Sequence, residues 1–265
     1  MNEVLVVIPT IVEHTRKYHL LDQLAKEWPV KRVLMVDNGN CFALPVPLEK
    51  RERWSKLHRI RPGCNMNWLH SCNLGAAVAL EQRIPYVCFL NDDVKLSWEF
   101  FENILEAFRQ NPDAAVVVPQ YNGQFGPEAH NPASDKEWQS HPSDIPVPYV
   151  DGTCMVLSLN TLGTVGFLDP SFRHPGWGAD VDYSHRVTLA GQKLYVTQRA
   201  MLWHQTPQGG TSAIQIYGGR REWVERGQKQ AQQDLEAKYG PNWREVLPWP
   251  PGVTQNSLYQ TSANR

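Results

Sequence analysis

No apolar run in this 265-residue chain approaches the roughly 18 residues that a membrane-crossing helix needs, so the sequence predicts no membrane span. The N-terminus enters "VLVVIPT" with no basic segment before it and no small-residue cleavage site after it. That pattern lacks the parts of a secretory leader and predicts a soluble, cytoplasmic protein. Charge of one sign is not in excess either. Lys plus Arg number 26 against 27 Asp plus Glu, which gives no strong field for nucleic acid or anionic lipid. A local basic cluster, "GGRREWVERGQK", keeps nucleic acid open as an acceptor. The five cysteines (Cys41, Cys64, Cys72, Cys88, Cys154) are odd in number and show no C-x-x-C spacing. Cys88 and Cys154 fall inside apolar runs, so reduced, mostly buried thiols are expected. No internal repeat is present. What the chain has in abundance is tryptophan, ten in all, a residue suited to sugar stacking and to interfaces.

The patterning alternates between two periods. "VLVVIPT" (4–10), "KRVLMVD" (31–37), "PYVCFL" (85–90) and "AAVVVPQ" (114–120) are continuous apolar runs of the kind buried on both faces of a sheet. Between them, "HTRKYHLLDQLAKEW" places Leu20, Leu21, Leu24 and Trp28 on a helical stripe that Pro29 stops. "NWLHSCNLGAAVALEQ" reads as a helix, and "SWEFFENILEAFRQN" as one with Ser97 as its cap. "SKLHRIRP" is a shorter strand. Alternation of this kind predicts an α/β fold, a three-layer α/β/α sandwich around a mostly parallel sheet. Residues 121–148 lack periodicity and read as a long loop. Further on come sheet signal at "YVDGTCMVLSLN", a helix start at "ADVDYSHRVTLAG", a strand at "KLYVTQRAMLWHQ" and a polar helix at "REWVERGQKQAQQDLEAKYG". The expected organisation is one catalytic domain over 1–240, its first half to about 120 and its second from about 150, followed by a tail over 241–265.

In open α/β sheets, ligands bind at the carboxyl ends of the strands. Here those ends carry Thr10, Asp37 and the run Asn91-Asp92-Asp93. Hard carboxylate oxygens in a D-x-D-like arrangement suit Mg²⁺ or Mn²⁺ held largely through a diphosphate, although a solvated turn gives the same tetrapeptide. Residues 174–186, "HPGWGADVDYSHR", add a tryptophan and two acids, Asp180 and Asp182, at the mouth of a helix, where the helix dipole alone also favours acids.

Seven segments, "VIPT", "VDNGN", "NMNWLHSCNLGAAVA", "FLNDDV", "VDGTCMVLSLNTLGTVGFLDPSF", "GWGADVDYSHRVTLAG" and "MLWH", occur in the order found in GT-A glycosyltransferases. The chain resembles those of family 2 from about residue 4 to 205. The resemblance implies a GT-A fold and an inverting, metal-dependent transfer of sugar from a nucleotide-diphosphate sugar, UDP-sugar being commonest, to an acceptor hydroxyl on a saccharide, protein or modified nucleobase. By position, Pro9, Thr10, Asp37, Asn65, Asn73 and Asp92 resemble the donor-binding residues. Asp93, with Asn91 and the late His204, resembles the site for Mn²⁺ or Mg²⁺. Asp180 falls on the general-base position, and Trp177, Gly178 and Asp182 on the acceptor side. Ala179 stands where relatives commonly carry a Glu that helps hold the acceptor.

Each role has a plainer counterpart. Asp37 caps an Asn-Gly turn, Asn73 hydrogen-bonds on a helix face, His204 ends a strand, Trp177 packs, and Asp182 pairs with a nearby cation or holds the helix start. Asp151 and Gly152 either face the donor sugar or form a turn. "QTPQGGTS" is either a loop that orders over the nucleotide or a connector. Two other functions fit less well. A nucleotidyltransferase of sugar-nucleotide synthesis needs a "GxGxRxxP" segment near its first strand, which "VIPTIVEHTRK" does not supply, and a non-catalytic sugar-nucleotide-binding protein has no need of these acids.

Overall fold

The computed structural model describes residues 3–11, 15–39, 54–122, 138–204 and 219–247. Strand β1 (Val4–Thr10), helix α1 (Thr15–Lys26) and strand β2 (Val30–Asp37) open the chain, followed by β3 (Leu57–Ile60), α2 (Asn67–Gln82), β4 (Tyr86–Leu90) and β5 (Val94–Leu96). Next come α3 (Phe100–Gln110), β6 (Ala114–Tyr121), β7 (Asp144–Val147), β8 (Cys154–Ser158) and α4 (Leu159–Val165). The described part ends with α5 (Ala179–Leu189), β9 (Lys193–His204), α6 (Arg220–Tyr239) and α7 (Trp243–Val246).

Among the described residues the strands form one sheet in the order β3-β2-β1-β4-β8-β6-β9-β5, with β7 also on β9. Its first half is parallel, β1 pairing with β2 and β4, and β2 with β3. Its second half is not, because β8 runs antiparallel to both β4 and β6, and β9 antiparallel to β5 and β7. The sheet is therefore mixed rather than mostly parallel. The reversal shows in the register: β8 begins at the end of the sheet where β4 leaves it, with Cys154 opposite Leu90.

Alternate residues of the continuous strands feed two cores. Leu5, Val7, Val87 and Phe89 face the cluster that holds α2, α4, α5 and α6, and Val4, Val6, Ile8 and Cys88 face the one that holds α1 and α3. These are the three expected layers.

Two sequence expectations fail at helix ends. Trp28 leaves the stripe of α1 and lies 64% exposed, because α1 stops at Lys26. The cap of α3 is not Ser97, whose Oγ accepts from the Met201 amide instead. Glu27, brought from the end of α1, accepts the amides of Phe100 and Phe101 at 3.2 and 3.1 Å, placing a carboxylate where the helix dipole favours one. The core also runs past residue 240, where the tail was expected to start: Trp243 is 2% exposed and Leu247 is buried beside it. The Gly-rich stretch after His204, much of the 121–148 segment, Cys41 and the tail from 248 lie outside the described residues. No helix among the described residues is long and apolar enough to cross a membrane.

Candidate active site

Parallel pairing brings the ends of β1 and β2 level, so Thr10 lies opposite Asp37. Asp37 is fully buried and paired with Arg61, whose Nε stands 3.3 Å from Oδ2. Asn38 follows, donating its backbone amide to the Thr10 carbonyl and its side-chain amide to Ser71 on α2. Its Oδ1 accepts the Met66 amide, which fixes the start of α2 against the strand ends. Pro9, one residue before Thr10 on β1, is partly exposed at the same sheet edge.

The run after β4 divides its work. Asn91 donates its amide to the carbonyl of Thr153, Asp92 accepts from the Thr10 hydroxyl at 2.6 Å, and Asp93 lies 3.0 Å from His204 Nε2. The last contact exists because β5 and β9 pair antiparallel with Val94 opposite His204. Asn122 holds the backbone of His204 from the other side, its Oδ1 accepting the His204 amide at 2.6 Å. Burial alone would lower the His204 pKa; the hydrogen bond to Asp93 and the charges of Asp93, Asp151 and Asp92 outweigh it and raise it. His204 thus touches Asp93 and feels the charges of Asp92 and Asp151.

Asp151, Gly152 and Thr153 connect this point to the helix acids. Asp151 accepts the Thr153 amide, closing a turn, and Gly152 donates its amide to Asp180 Oδ2 at 3.0 Å. A Cβ on Gly152 would come 3.1 Å from the Trp68 ring and 3.4 Å from Asp180 Oδ2, so glycine allows the carboxylate its close approach. Trp68 packs edge-on to Phe89, and its buried indole N–H has no hydrogen-bond partner among the described residues. Burial raises the Asp180 pKa to about 6 with help from the nearby Asp151 charge, against the opposing pull of the Val181 and Gly152 amides. A carboxyl tuned to that range is suited to taking a proton near neutrality.

Three expected site residues are used otherwise. Asn73 spends both ends of its amide on the backbone of Leu168, Nδ2 donating to the carbonyl at 2.8 Å and Oδ1 accepting the amide at 3.0 Å. These are bonds of the helix-face kind. Asp182 is fully buried, accepting from Tyr239 at 2.5 Å and pairing with Arg186 and Lys238. It ties α6 to α5. Asn65, exposed, accepts the Asn67 amide in the turn before α2. Gly178, with φ near +89°, starts α5 and accepts the Asp182 amide; a side chain there would meet Phe172 and Leu235.

Trp177 is half-buried. One part of its ring lies against α6, where a Cβ on Gly227 would come within 2.6 Å of it, and Trp223 meets it edge-on with centroids 6.0 Å apart. His174 approaches Trp223 in turn, at 5.6 Å. The result is an aromatic group, built half from α6, next to the helix that carries Asp180. Sequence reading found Trp177 but not Trp223, His174, Trp68, Asn122 or Lys17. The last is a buried cation on α1 that no strand-end pattern marks.

Chemically, Asp93 and His204 offer one hard oxygen and one imidazole, a donor pair suited to Mn²⁺ or Mg²⁺. Among the described residues no group of three such side chains converges. The residues fit a divalent ion held jointly with a phosphorylated ligand.

The model of the family described as glycosyl transferase family 2 matches residues 5–159. An uncharacterized protein of Mycobacterium bovis and two of Mycobacterium tuberculosis are each 29% identical over 224 residues, spanning 82% of this chain and 78% of theirs. Among solved structures, that of GalNAc-T7 with UDP, GalNAc and Mn²⁺ superposes with a TM-score of 0.60 at 14% identity. The superposition covers 76% of this chain and 43% of the other, so this chain spans less than half of that one. At such identity the likeness is one of fold, and the fold is GT-A.

Proposed function

The chain belongs to glycosyl transferase family 2, and from that premise we propose that it transfers a sugar from a nucleotide-diphosphate sugar to an acceptor hydroxyl, with inversion at the anomeric carbon. The observation that carries this reading is the pairing of two chemically different poles across one short turn. On one side stand Asp93 and His204; on the other stands Asp180, and the Asp151–Thr153 turn is hydrogen-bonded to Asp180 through the Gly152 amide and, through the Thr153 carbonyl, to the backbone of Asn91, two residues before Asp93.

Asp180 is the base. It accepts the proton of the acceptor hydroxyl as that oxygen forms its bond to the anomeric carbon; the bond from that carbon to the diphosphate breaks, and its electron pair leaves with the diphosphate. Attack opposite the leaving group inverts the centre. Asp93 and His204 would hold a divalent ion, which would supply Lewis-acid stabilisation of charge on the departing diphosphate. Asp37, Thr10 and Asp92, at the carboxyl edge of β1, β2 and β4, bind the nucleotide part of the donor. Trp177 and Trp223 form an apolar wall beside the base, suited to the flat face of an acceptor. UDP is the proposed carrier because the GalNAc-T7 structure of the same fold holds UDP and Mn²⁺.

The test is a thermal-shift and turnover panel of UDP-, GDP- and dTDP-sugars with and without Mn²⁺. Stabilisation by at least one of them in the presence of metal is expected. A chain that no nucleotide sugar stabilises, with either Mn²⁺ or Mg²⁺, does not carry out this reaction.

A further inference from the structure

One charged side chain at the donor edge of the sheet is announced by no motif. Lys17, in the first turns of α1, is 0% exposed. Its Nζ donates to Thr10 Oγ1 at 2.6 Å, and Thr10 Oγ1 donates to Asp92 Oδ2 at 2.6 Å. Lys17 Nζ itself stands 3.9 Å from the same carboxylate oxygen. The direction of this chain is fixed by chemistry. An ammonium only donates, so Thr10 must accept from it, and the single hydroxyl proton then goes to Asp92.

Such an arrangement is not what packing alone selects. The inward face of α1 otherwise presents Leu20, Leu21 and Leu24 to the core. Burying an ammonium among them is costly unless a specific partner compensates it, and apolar replacements of buried ion pairs are often neutral or stabilising. The partner here is also not a core group: Asp92 keeps 14% of its side chain exposed at the strand end. The two neighbouring acids are drawn apart, Asp92 toward Lys17 on α1 and Asp93 toward His204 on β9.

We infer that Lys17 is a positioning residue of the donor site, acting through Thr10 to hold Asp92 as a fixed acceptor for a hydroxyl of the nucleotide donor, and so leaving the cation to Asp93 and His204. This rests on the nucleotide-sugar reading given above. A carboxylate already compensated inside the protein adds little negative charge to a pocket that receives a diphosphate. It also has little to gain from the metal. The two acids of "NDD" are thereby given different tasks by different counter-charges, a division that their adjacency in sequence hides.

The experiment uses the full chain and calorimetric binding of UDP, GDP and dTDP with Mn²⁺, and of Mn²⁺ alone. Lys17→Met and Thr10→Val are each expected to weaken binding of the nucleotide that the unaltered protein takes by about tenfold, the effect of losing one hydrogen bond to a charged group. Thr10→Ser, which keeps the hydroxyl, recovers most of that loss. Mn²⁺ binding alone stays unchanged in all three. In turnover, KM for the donor rises with kcat nearly constant, whereas a merely structural role lowers the active fraction and leaves KM alone. Lys17→Met combined with Asp92→Asn removes both charges; it recovers the unfolding temperature lost in Lys17→Met but not the nucleotide affinity.

Equal affinity in Thr10→Val and the unaltered chain overturns the inference even where Lys17→Met does not fold. So does a Thr10→Ser variant as weak as Thr10→Val, or a loss of Mn²⁺ binding in step with the nucleotide. If the unaltered chain binds none of the three nucleotides, it is the nucleotide-sugar reading that falls first, and this inference falls with it.

Discussion

The backbone amide of Gly152 and the Oδ2 of Asp180 meet at 3.0 Å, joining the turn after the long 121–148 segment to the first turn of α5. That bond opposes the two influences that raise the Asp180 pKa to about 6, burial first and then the charge of Asp151. Because a base acts only when deprotonated, kcat/KM for transfer is expected to climb as pH rises through about 6 and then level off. Asp151→Asn removes one raising influence, so the climb moves to lower pH. A pH–rate profile on both proteins checks this, and an unmoved acid limb in Asp151→Asn contradicts it. The same shift makes a stability statement with a definite sign. A carboxyl that holds its proton more tightly in the folded protein favours the fold below the unfolded-state pKa, and that contribution is lost as pH rises through about 6.

Asp180→Asn and Asp93→Asn separate the two poles. The first is expected to cut transfer by about 10²–10⁴, the range a general base contributes, while UDP-sugar binding with Mn²⁺ changes little. The second weakens the metal-dependent part of donor binding itself. Calorimetry with and without Mn²⁺, set beside turnover, distinguishes them; parallel loss of both properties in both variants would contradict the division of roles.

Asp182 is a structural prediction, not a catalytic one. Removing the Tyr239 hydroxyl in Tyr239→Phe takes away one charge-assisted hydrogen bond to a buried carboxylate, worth about 1.5–3 kcal/mol. Asp182→Ala removes the shared partner of Tyr239, Arg186 and Lys238, though Lys238 keeps Asp169 and Arg186 keeps the carbonyls of Val165 and Phe167, and is expected to cost at least as much as Tyr239→Phe, about 2–3 kcal/mol. Chemical denaturation measures both. Donor affinity of the folded Tyr239→Phe protein stays at its original value, and a drop in that affinity would argue for a direct site role.

Gly227→Ala puts a methyl group where it would approach the Trp177 ring to 2.6 Å. Overpacking of this sort costs about 1–3 kcal/mol and shifts the ring. A changed near-ultraviolet circular dichroism signal and a raised acceptor KM with unaltered nucleotide binding are the expected results. An acceptor KM that does not move places the acceptor away from Trp177.

The sequence by itself determined the main strands and helices and the polar residues that end the strands, but not β5, nor β7, which lies inside the stretch read as a loop. It could do so because period-2 and period-3.6 burial are written locally, and so are the polar residues that end each strand. Partnership is not local. Asp93 finds His204 across 111 residues, Asn73 finds Leu168 across 95 and Asp182 finds Tyr239 across 57. A single residue type, Asp or Asn, reads alike at all these positions until the partner is known. Tertiary structure decided which of them remain at the site, because a buried polar group goes to whichever partner the packed chain brings within about 3 Å. That is why Asp92 and Asp93 part company, why Asp182 turns into a strut for α6, and why the Asp180 pKa is raised to about 6. The direction of β8, antiparallel to both β4 and β6, is likewise something no periodicity records.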